Sequence, residues 1–231
     1  MEQIEPDALY DERGDVSWAR PPLQGDVFDD VVLPGFGDEP MKVQIVSHPC
    51  AMRTGRGLLL PRITVAPVGP HARIAGQRGW DGNLRLMPLP GLEDGQNYAT
   101  KFVDVTAAPV DLLTRSKRVA SLSHRGIYVL QQRLVKHYTR IELDLELLRR
   151  QSAPVLLEAE QQWHWIDEVL SEEELADEAA ITAEATVFDD WLGEGDPSRR
   201  QLLQDEVHHA DVRKQSQRAA RERANDRTQR S

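Results

Sequence analysis

Apolar residues recur with two different periods along the chain. Between Gly25 and Thr106, short runs rich in Val, Ile and Leu are separated by Gly and Pro, which is typical of short β-strands joined by turns. The predicted strands are the runs GDVFDDVVL, MKVQIVS, GLLLPRITVAPV, NLRLMPLP and NYATKFVDVT. Strands of this length and spacing predict a small antiparallel barrel. Pro61 and Pro67 lie beside or within the third run, which predicts an edge strand or a bend there.

Further along the chain the apolar spacing changes to three or four residues. The stripe from Val119 to Leu148 predicts an amphipathic helix with Ser123 as its N-cap. Another helix is predicted to start at Ser152, and the sequence SEEE at residues 171–174 has the form of a capping box. The fold class is therefore predicted as α+β, a small antiparallel β-barrel followed by a mostly helical C-terminal extension.

Charge is distributed unevenly around a net value of −10. Residues 1–157 hold 19 basic and 19 acidic groups, whereas residues 158–196 hold 14 acidic groups and no Lys or Arg. Residues 213–231 hold seven basic and two acidic groups and almost no large apolar side chain, which predicts a disordered tail or a solvated helix. Such a division indicates separate roles for the segments.

Four segments follow from these patterns. They are an N-terminal arm at 1–23, the barrel at 24–112, the helical extension at 113–212 with its acidic segment 158–196, and the basic tail at 213–231.

Composition restricts the class of function. No run approaches the roughly 20 apolar residues that cross a bilayer, and the acidic N-terminus lacks the features of a signal peptide, so we expect a cytoplasmic protein with no membrane partner. The single cysteine, Cys50, cannot form an internal disulfide and is a poor start for a zinc site. Phosphate-binding GxxxxGK, HExxH and CxxC motifs are absent from the sequence, and we predict no metal and no cofactor. His48 beside Cys50 leaves open a thiol nucleophile, a metal site with His71, or a packing role.

Basic side chains in the barrel half give one candidate site. The set comprises Arg53, Arg56, Arg62, His71, Arg73, Arg78 and Arg85 with Trp80. Of these, Arg53, Arg56, Arg73 and Arg78 with Trp80 are predicted to hold phosphates and stack a base of RNA or DNA. The alternative is a set of scattered surface arginines on a domain without net charge.

Aromatic side chains within the acidic segment give a second candidate. Trp163, Trp165, Phe188 and Trp191 could anchor a basic protein partner, or the segment could fold back over the basic loops of the barrel. The alternative is a solvated charged face whose aromatic residues serve packing.

Short motifs in the barrel half resemble a known family. GDVF opens one strand, the next strand ends in Ser47, and a further strand ends in APV, as in the MazF and PemK toxins. The resemblance covers residues 24–70. The same part of the chain is also similar to a looser set of uncharacterised bacterial proteins. It implies an SH3-like barrel, a toxin or phage-defence setting, RNA cleavage without a metal, and the homodimer that such barrels usually form.

The family's catalytic residues have no direct counterparts at the matching positions. The resemblance places its arginine near Met41 and Lys42 and its hydroxyl residue at Gly69. If the chain is an endoribonuclease, Lys42, Arg53 and His71 are the residues predicted to replace them. The sequence thus leaves three hypotheses: a binding or regulatory component, a divergent endoribonuclease, and a protein adaptor.

Overall fold

The structure is a computed structural model that describes residues 6–54, 59–71 and 84–229. The described residues form two compact units. The barrel unit comprises residues 6–16, 22–52, 59–71 and 84–151. The helical unit comprises Arg53, Thr54 and residues 17–21 and 152–229.

Eight strands are present among the described residues of the barrel unit. They are β1 Tyr10–Arg13, β2 Val27–Val31, β3 Met41–Ile45, β4 Arg62–Pro70, β5 Leu86–Glu93, β6 Gln96–Lys101, β7 Thr106–Pro109 and β8 Arg118–Leu122. They form one antiparallel sheet in the order β1-β8-β2-β3-β4-β6-β5, and β7 also pairs with β4. This nearly closed barrel, followed by helices, confirms the predicted α+β class.

With nine residues, β4 is the longest described strand, and it changes partner along its length. Val65 lies opposite Thr106 of β7, whereas Val68 lies opposite Thr100 of β6. Pro67 lies near the point where β4 changes from one partner strand to the other. A residue without a backbone N–H interrupts the hydrogen-bond ladder least at such a point. Since β3 pairs along the other side of β4, the strand is interior and the predicted edge position is wrong.

Two strands come from outside the predicted barrel segment 24–112. β1 lies in the predicted N-terminal arm, and β8 lies where the apolar stripe predicts the start of a helix. β8 inserts between β1 and β2, with Tyr10 opposite Leu122 and Val27 opposite Ala120. Four of the five β8 residues are buried, so the strand lacks the alternation that identifies a half-exposed strand.

One apolar core of the barrel unit is formed mainly by side chains of β2, β3 and β4. Its buried members are Phe28, Val31, Leu33, Val43, Ile45, Met52, Ile63, Val65, Ala108 and Leu113.

Buried polar side chains form hydrogen bonds elsewhere in the barrel unit. Gln44 donates through Nε2 to the Gly25 carbonyl (2.9 Å) and accepts through Oε1 from the Thr100 hydroxyl (2.6 Å). Arg118 donates to the Asp26 carboxylate over 3.0 Å, and both side chains are at most 1% exposed. These contacts join residues far apart in sequence and therefore fix how the strands are arranged.

Seven α-helices are present in the described residues. They are α1 Pro6–Leu9, α2 Pro49–Met52, α3 His124–Thr139, α4 Leu145–Val169, α5 Glu178–Gly193, α6 Arg199–Leu202 and α7 His209–Thr228. Short 3-10 helices cover Phe102–Asp104, Val110–Leu112, Arg115–Lys117, Glu174–Ala176 and Glu206–His208. None of the described helices is both long and apolar enough to span a bilayer.

The N-terminus of α3 lies where the sequence predicts it. The backbone N–H of Gly126 donates to the Ser123 hydroxyl over 3.1 Å, which confirms Ser123 as the N-cap. A Cβ at Gly126 would lie 2.3 Å from the Leu9 carbonyl oxygen, so this position requires glycine. Arg140 adopts a left-handed φ of 63° and ends α3, so the predicted continuous helix is divided into α3 and α4.

The predicted capping box opens a shorter element than expected. The N–H of Glu174 donates to the Ser171 hydroxyl (3.3 Å), and the N–H of Ser171 donates to the Glu174 carboxylate (3.0 Å). Only the 3-10 helix Glu174–Ala176 follows directly, and α5 begins after a second cap in which Asp177 accepts from the N–H of Ala179. α5 ends at Gly193.

The helical unit has its own apolar core. Its buried members are Ala19, Trp165, Ile166, Val169, Leu170, Ile181, Phe188, Leu192, Leu203, Val212 and Ala220.

Of the two states predicted for the basic tail, a disordered segment and a solvated helix, the structure has a helix. α7 covers most of the tail and buries Val212, Ser216 and Ala220, which lie four residues apart on one face. A narrow stripe of small residues is therefore sufficient for packing, although it gives almost no hydrophobic signal in the sequence.

Candidate functional site

Lys42 on β3 is enclosed by acidic partners. Its Nζ lies 2.5 Å from Asp29 Oδ2 and 3.1 Å from Glu93 Oε2. Burial acts to lower the pKa of Lys42, but the two carboxylates outweigh burial and raise that pKa. Two negative charges thus neutralise an ammonium group whose side chain is only 13% exposed, which leaves little positive potential for a phosphate.

The same cluster includes Tyr98 of β6. Its hydroxyl donates to Glu93 Oε2 over 3.1 Å, and its ring centre lies 5.8 Å from the ammonium of Lys42. Burial raises the pKa of Asp29, but the hydrogen bonds from Lys42 and from the backbone N–H of Asp30 outweigh it and lower that pKa. The cluster is therefore a set of mutually satisfied charges.

Gly69 and Lys101 share the opposite face of the sheet from Lys42. The register of β3, β4 and β6, with the alternation of side chains along each strand, gives this placement. His71 follows β4 and is half-exposed, and its backbone N–H donates to the Asn97 carbonyl over 2.9 Å. His71 thus follows the last residue of β4, whereas Lys42 of β3 is held by Asp29 and Glu93.

Lys101 at the end of β6 was not predicted from the sequence. Its side chain is exposed, and it forms no ion pair with another described residue. A Cβ at Gly69 would lie 3.7 Å from Lys101 Cε and 3.8 Å from its Nζ. Where the resemblance places a catalytic hydroxyl, the structure therefore has a nearby ammonium group.

Arg85, one of the basic residues noted in the sequence, is a second exposed cation. It lies directly before β5, and its carbonyl accepts from the backbone N–H of Phe102 over 2.9 Å. The alternation in NYATK is the sequence signal for Lys101, and the set of basic residues in the barrel half is the signal for Arg85. Neither signal shows which strands become neighbours.

Most of the predicted nucleic-acid-binding residues lie outside the described residues. These are Arg56, Arg73, Arg78 and Trp80. Arg53 is described, is half-buried and belongs to the helical unit, whereas Lys42 and His71 belong to the barrel unit.

His48 and Cys50 lie at the short helix α2. The imidazole Nδ1 of His48 accepts from the backbone N–H of Cys50 over 3.3 Å, and the side chain of Cys50 is exposed. Burial lowers the pKa of His48, so the imidazole is predominantly neutral at pH 7 and lends little positive charge to a thiolate.

The predicted aromatic anchors lie in or against the core of the helical unit. Trp165 is 3% exposed and Phe188 is 2% exposed, and their rings meet at 5.6 Å. Trp163 and Trp191 are half-buried, and arginine side chains lie over both rings. Packing within the helical unit therefore explains the positions of these four aromatic side chains, and no protein partner is needed to explain them.

Carboxylates of the acidic segment pair with arginines that follow it in the sequence. Arg200 contacts Glu158 over 3.2 Å and also contacts Asp189. Arg223 donates to both carboxylate oxygens of Glu184, over 3.0 and 3.2 Å. Further pairs join Arg199 to Glu194, Arg213 to Glu160, Arg221 to Glu168, and Arg227 to Glu174 and Glu184.

Glu184 is the most buried carboxylate among these pairs. Its side chain is 3% exposed, and it also accepts from the indole Nε1 of Trp165 over 3.0 Å. The hydrogen bond with Glu184 raises the pKa of Arg223. Much of the negative charge in the acidic segment is thus balanced within its own unit.

The described residues contain no group of three His, Cys, Asp or Glu side chains arranged to hold a metal ion. Comparison with protein-family models and with curated proteins finds no match to this chain.

Proposed function

We propose that the protein is a bacterial binding component whose barrel unit recognises single-stranded RNA in a toxin or phage-defence setting. The setting comes only from the resemblance to MazF and PemK toxins. One observation supports the binding proposal: exposed Lys101 and Arg85 and half-exposed His71 lie around the two ends of the segment 72–84.

The composition of that segment strengthens the proposal. Arg73 and Arg78 add positive charge, and Trp80 adds a ring on which a base can stack. Binding residues are often placed on connections that a rigid scaffold holds at both ends. The neutralised Lys42 and the internally paired acidic segment leave this part of the barrel as the best candidate surface.

Binding can be tested by fluorescence anisotropy of a labelled mixed-sequence RNA over a series of salt concentrations. We expect Lys101→Ala and Arg85→Ala each to weaken binding severalfold and to reduce the slope of log K against log salt by about one. Lys214→Ala is the matched control, because this exposed lysine lies on α7 in the helical unit and should leave binding unchanged.

Folded protein that fails to bind RNA at low salt would overturn the proposal. Equal weakening by the Lys214 variant would also overturn it, because general charge attraction would then explain the binding. Either result would make a protein partner the next hypothesis.

A metal-independent endoribonuclease is the second candidate function. One observation favours it, namely that the ammonium of Lys101 lies beside Gly69, two residues before His71. In such a reaction His71 takes the proton of the 2′-hydroxyl, and the 2′-oxygen attacks phosphorus. The 5′-oxygen leaves and gains a proton, while Lys101 stabilises the negative charge on the phosphorane.

Cleavage can be scored in the same RNA samples. The expected products have 2′,3′-cyclic phosphate and 5′-hydroxyl ends, and RNA with 2′-deoxy sugars at every position should remain intact. His71→Ala should abolish cleavage but weaken binding only slightly. RNA that is bound and remains uncut would exclude this second function and leave the first intact.

A further inference from the structure

Exposed apolar side chains are concentrated at the corner of the barrel unit where α3 leads into α4. Seven large apolar side chains are exposed among the described residues, and three of them fall between residues 138 and 147. These are Tyr138 at 62%, Ile141 at 59% and Leu147 at 48% exposure. Single exposed apolar residues are common on any protein, whereas a concentration of them in one stretch is typical of an interaction surface.

Arg140 lies between two of these side chains in an unfavourable backbone conformation. Its φ of 63° is left-handed, and its backbone N–H donates to the Lys136 carbonyl over 3.0 Å. Glycine is the usual residue at this position after a helix, because a Cβ is strained there. The residue is exposed, so packing does not offset the strain. Strain that the fold does not use indicates a role for the Arg140 side chain outside the fold.

Arg140 also supplies a positive charge that no described residue neutralises. Lys136 Nζ lies 2.5 Å from Glu142 Oε2, and Arg150 lies 3.4 Å from Glu146. Arg140 forms no ion pair or side-chain hydrogen bond with another described residue. Its guanidinium can therefore bind an external carboxylate through two parallel hydrogen bonds.

The ring of Tyr138 is held in place from the side of the core. The His137 ring meets it edge-on at 4.7 Å between ring centres and lies 5.6 Å from the ring of buried Phe102. A ring nitrogen of His137 lies 3.0 Å from the Leu84 carbonyl oxygen. An exposed ring that is already supported in this way loses little conformational freedom when a partner covers it.

The chemistry of this corner favours a protein over a nucleic acid. Residues 136–150 hold four basic and three acidic groups, and the three carboxylates repel phosphates. Ile141 and Leu147 offer aliphatic surface, whereas a nucleic-acid site relies on cations and aromatic rings. Tyrosine and arginine are enriched among the residues that dominate the affinity of protein interfaces.

We propose that Tyr138, Arg140 and Ile141 form a docking surface for a segment of a partner protein that carries apolar side chains beside an Asp or Glu. The apolar side chains cover Tyr138 and Ile141, and the carboxylate pairs with Arg140. This corner surface is distinct from the acidic segment and does not depend on RNA binding by the barrel.

The proposal is tested by selecting random peptides displayed on phage for binding to the full-length protein. We expect the enriched peptides to share apolar residues beside an Asp or Glu. A fluorescein-labelled synthetic peptide with an enriched sequence then serves as the probe, and fluorescence anisotropy measures its affinity for the parent protein and for variants.

A charge reversal tests the role of Arg140. Arg140→Asp should fold, since Asp tolerates a left-handed backbone, and we expect it to bind the peptide about tenfold more weakly or worse. A peptide with Lys in place of its acidic residue should bind the parent weakly and Arg140→Asp more tightly. Arg218→Asp is the matched control, because this arginine is 82% exposed on α7 in the helical unit and should leave binding unchanged.

A second variant separates recognition from stability. Arg140→Gly removes the charge and relieves the backbone, so we expect binding to fall about tenfold while Tm is maintained or raised. A fall in Tm would contradict the strain assigned to Arg140 and overturn the proposal.

Four further results would overturn the proposal. The first is a selection that enriches no peptide above the level found with an unrelated protein. The second is equal peptide affinity of Arg140→Asp and the parent. The third is a loss of RNA binding, without a loss of peptide binding, in Arg140→Asp, which would assign the corner to nucleic acid. The fourth is a dimer seen by sedimentation that Arg140→Asp abolishes, with no peptide binding, which would assign the corner to a second copy of the chain.

Discussion

The barrel unit and the helical unit place their ion pairs in different environments. In the barrel unit, Arg118 and Asp26 form a pair that is almost completely buried. In the helical unit, most of the pairs between the acidic segment and the following arginines are partly exposed. A buried pair is costly to break but is screened little by salt, whereas exposed pairs are individually weak and are screened readily.

The comparison shows that a local excess of charge need not indicate an external partner. The acidic segment 158–196 has no basic residue of its own, yet arginines of α6 and α7 neutralise many of its carboxylates. Arg213 and Glu160 are 53 residues apart in sequence. The balance therefore becomes visible only after the helices have packed.

The largest expected effect concerns the buried pair of the barrel. Asp26→Ala leaves the Arg118 guanidinium buried without its carboxylate, and we expect the free energy of unfolding to fall by about 3–5 kcal/mol. Urea denaturation followed by circular dichroism measures the change. Asp30→Ala is the control, because Asp30 pairs with Lys117 over 3.4 Å at 71% exposure and should cost less than about 1 kcal/mol. Similar losses of unfolding free energy in both variants would contradict the prediction that burial makes the Arg118–Asp26 pair the more costly one to break.

A smaller loss is expected at the buried carboxylate of the helical unit. Glu184→Gln keeps an acceptor for the Trp165 indole but removes the charge that faces Arg223, and we expect a loss of about 1–3 kcal/mol. Thermal unfolding, with the indole N–H resonance of Trp165 as a local probe, measures it. Glu172→Gln is a matched change at an exposed position. A loss equal to that of Glu172→Gln would show that the pair with Arg223 adds no stability.

Salt should separate the two kinds of pair. Arg200→Gln removes contacts to Glu158 and Asp189, and we expect a cost of about 0.5–1 kcal/mol in dilute buffer that largely disappears at about 1 M salt. The cost of Asp26→Ala should change little over the same range. Urea titrations of both variants at the two salt concentrations measure these free-energy costs. If the cost of Asp26→Ala also falls at high salt, salt does not distinguish the buried pair from the exposed pairs.

The smallest expected effect is a pH dependence at Glu174. The hydrogen bond from the Ser171 backbone N–H, with the charge of Arg227, lowers the pKa of Glu174 below its ordinary value. A lowered pKa stabilises the fold above the ordinary value of about 4.3, and this contribution is lost as the pH falls through the lowered pKa. The difference in Tm between parent and Glu174→Gln should therefore be present at pH 6 and vanish in strong acid. If the difference in Tm stays the same at every pH, titration of Glu174 is not its cause.

Local sequence features predicted the elements that depend on local chemistry. The strands β2 to β6 overlap the five predicted runs, because turn residues separate the runs and β-branched residues fill them. β7 shares only Thr106 with the fifth run and was not predicted as a separate strand. Ser123 was identified as an N-cap because capping needs only the next three residues. β8 was not predicted as a strand, since its burial on both sides removed the alternating pattern.

The candidate site could be predicted only in part. Lys42 was selected as a cation, but Asp29 and Glu93, which neutralise it, lie 13 and 51 positions away in the sequence. Lys101 lies over Gly69 because β6 pairs with β4, and that register cannot be derived from either strand alone. The packing of α7 could not be predicted for a similar reason, since the carboxylates that bind its arginines come from distant helices.

The insertion of β8 between β1 and β2 also determines an order of events during synthesis. β1 and β2 leave the ribosome early, but neither can complete its pairing until residues 118–122 have been made. Until then β1 lacks its partner and β2 has β3 on one side only, so strand edges are available for pairing with other chains. The barrel should therefore close late and slowly, and a nascent chain that stops before residue 118 should be prone to aggregation.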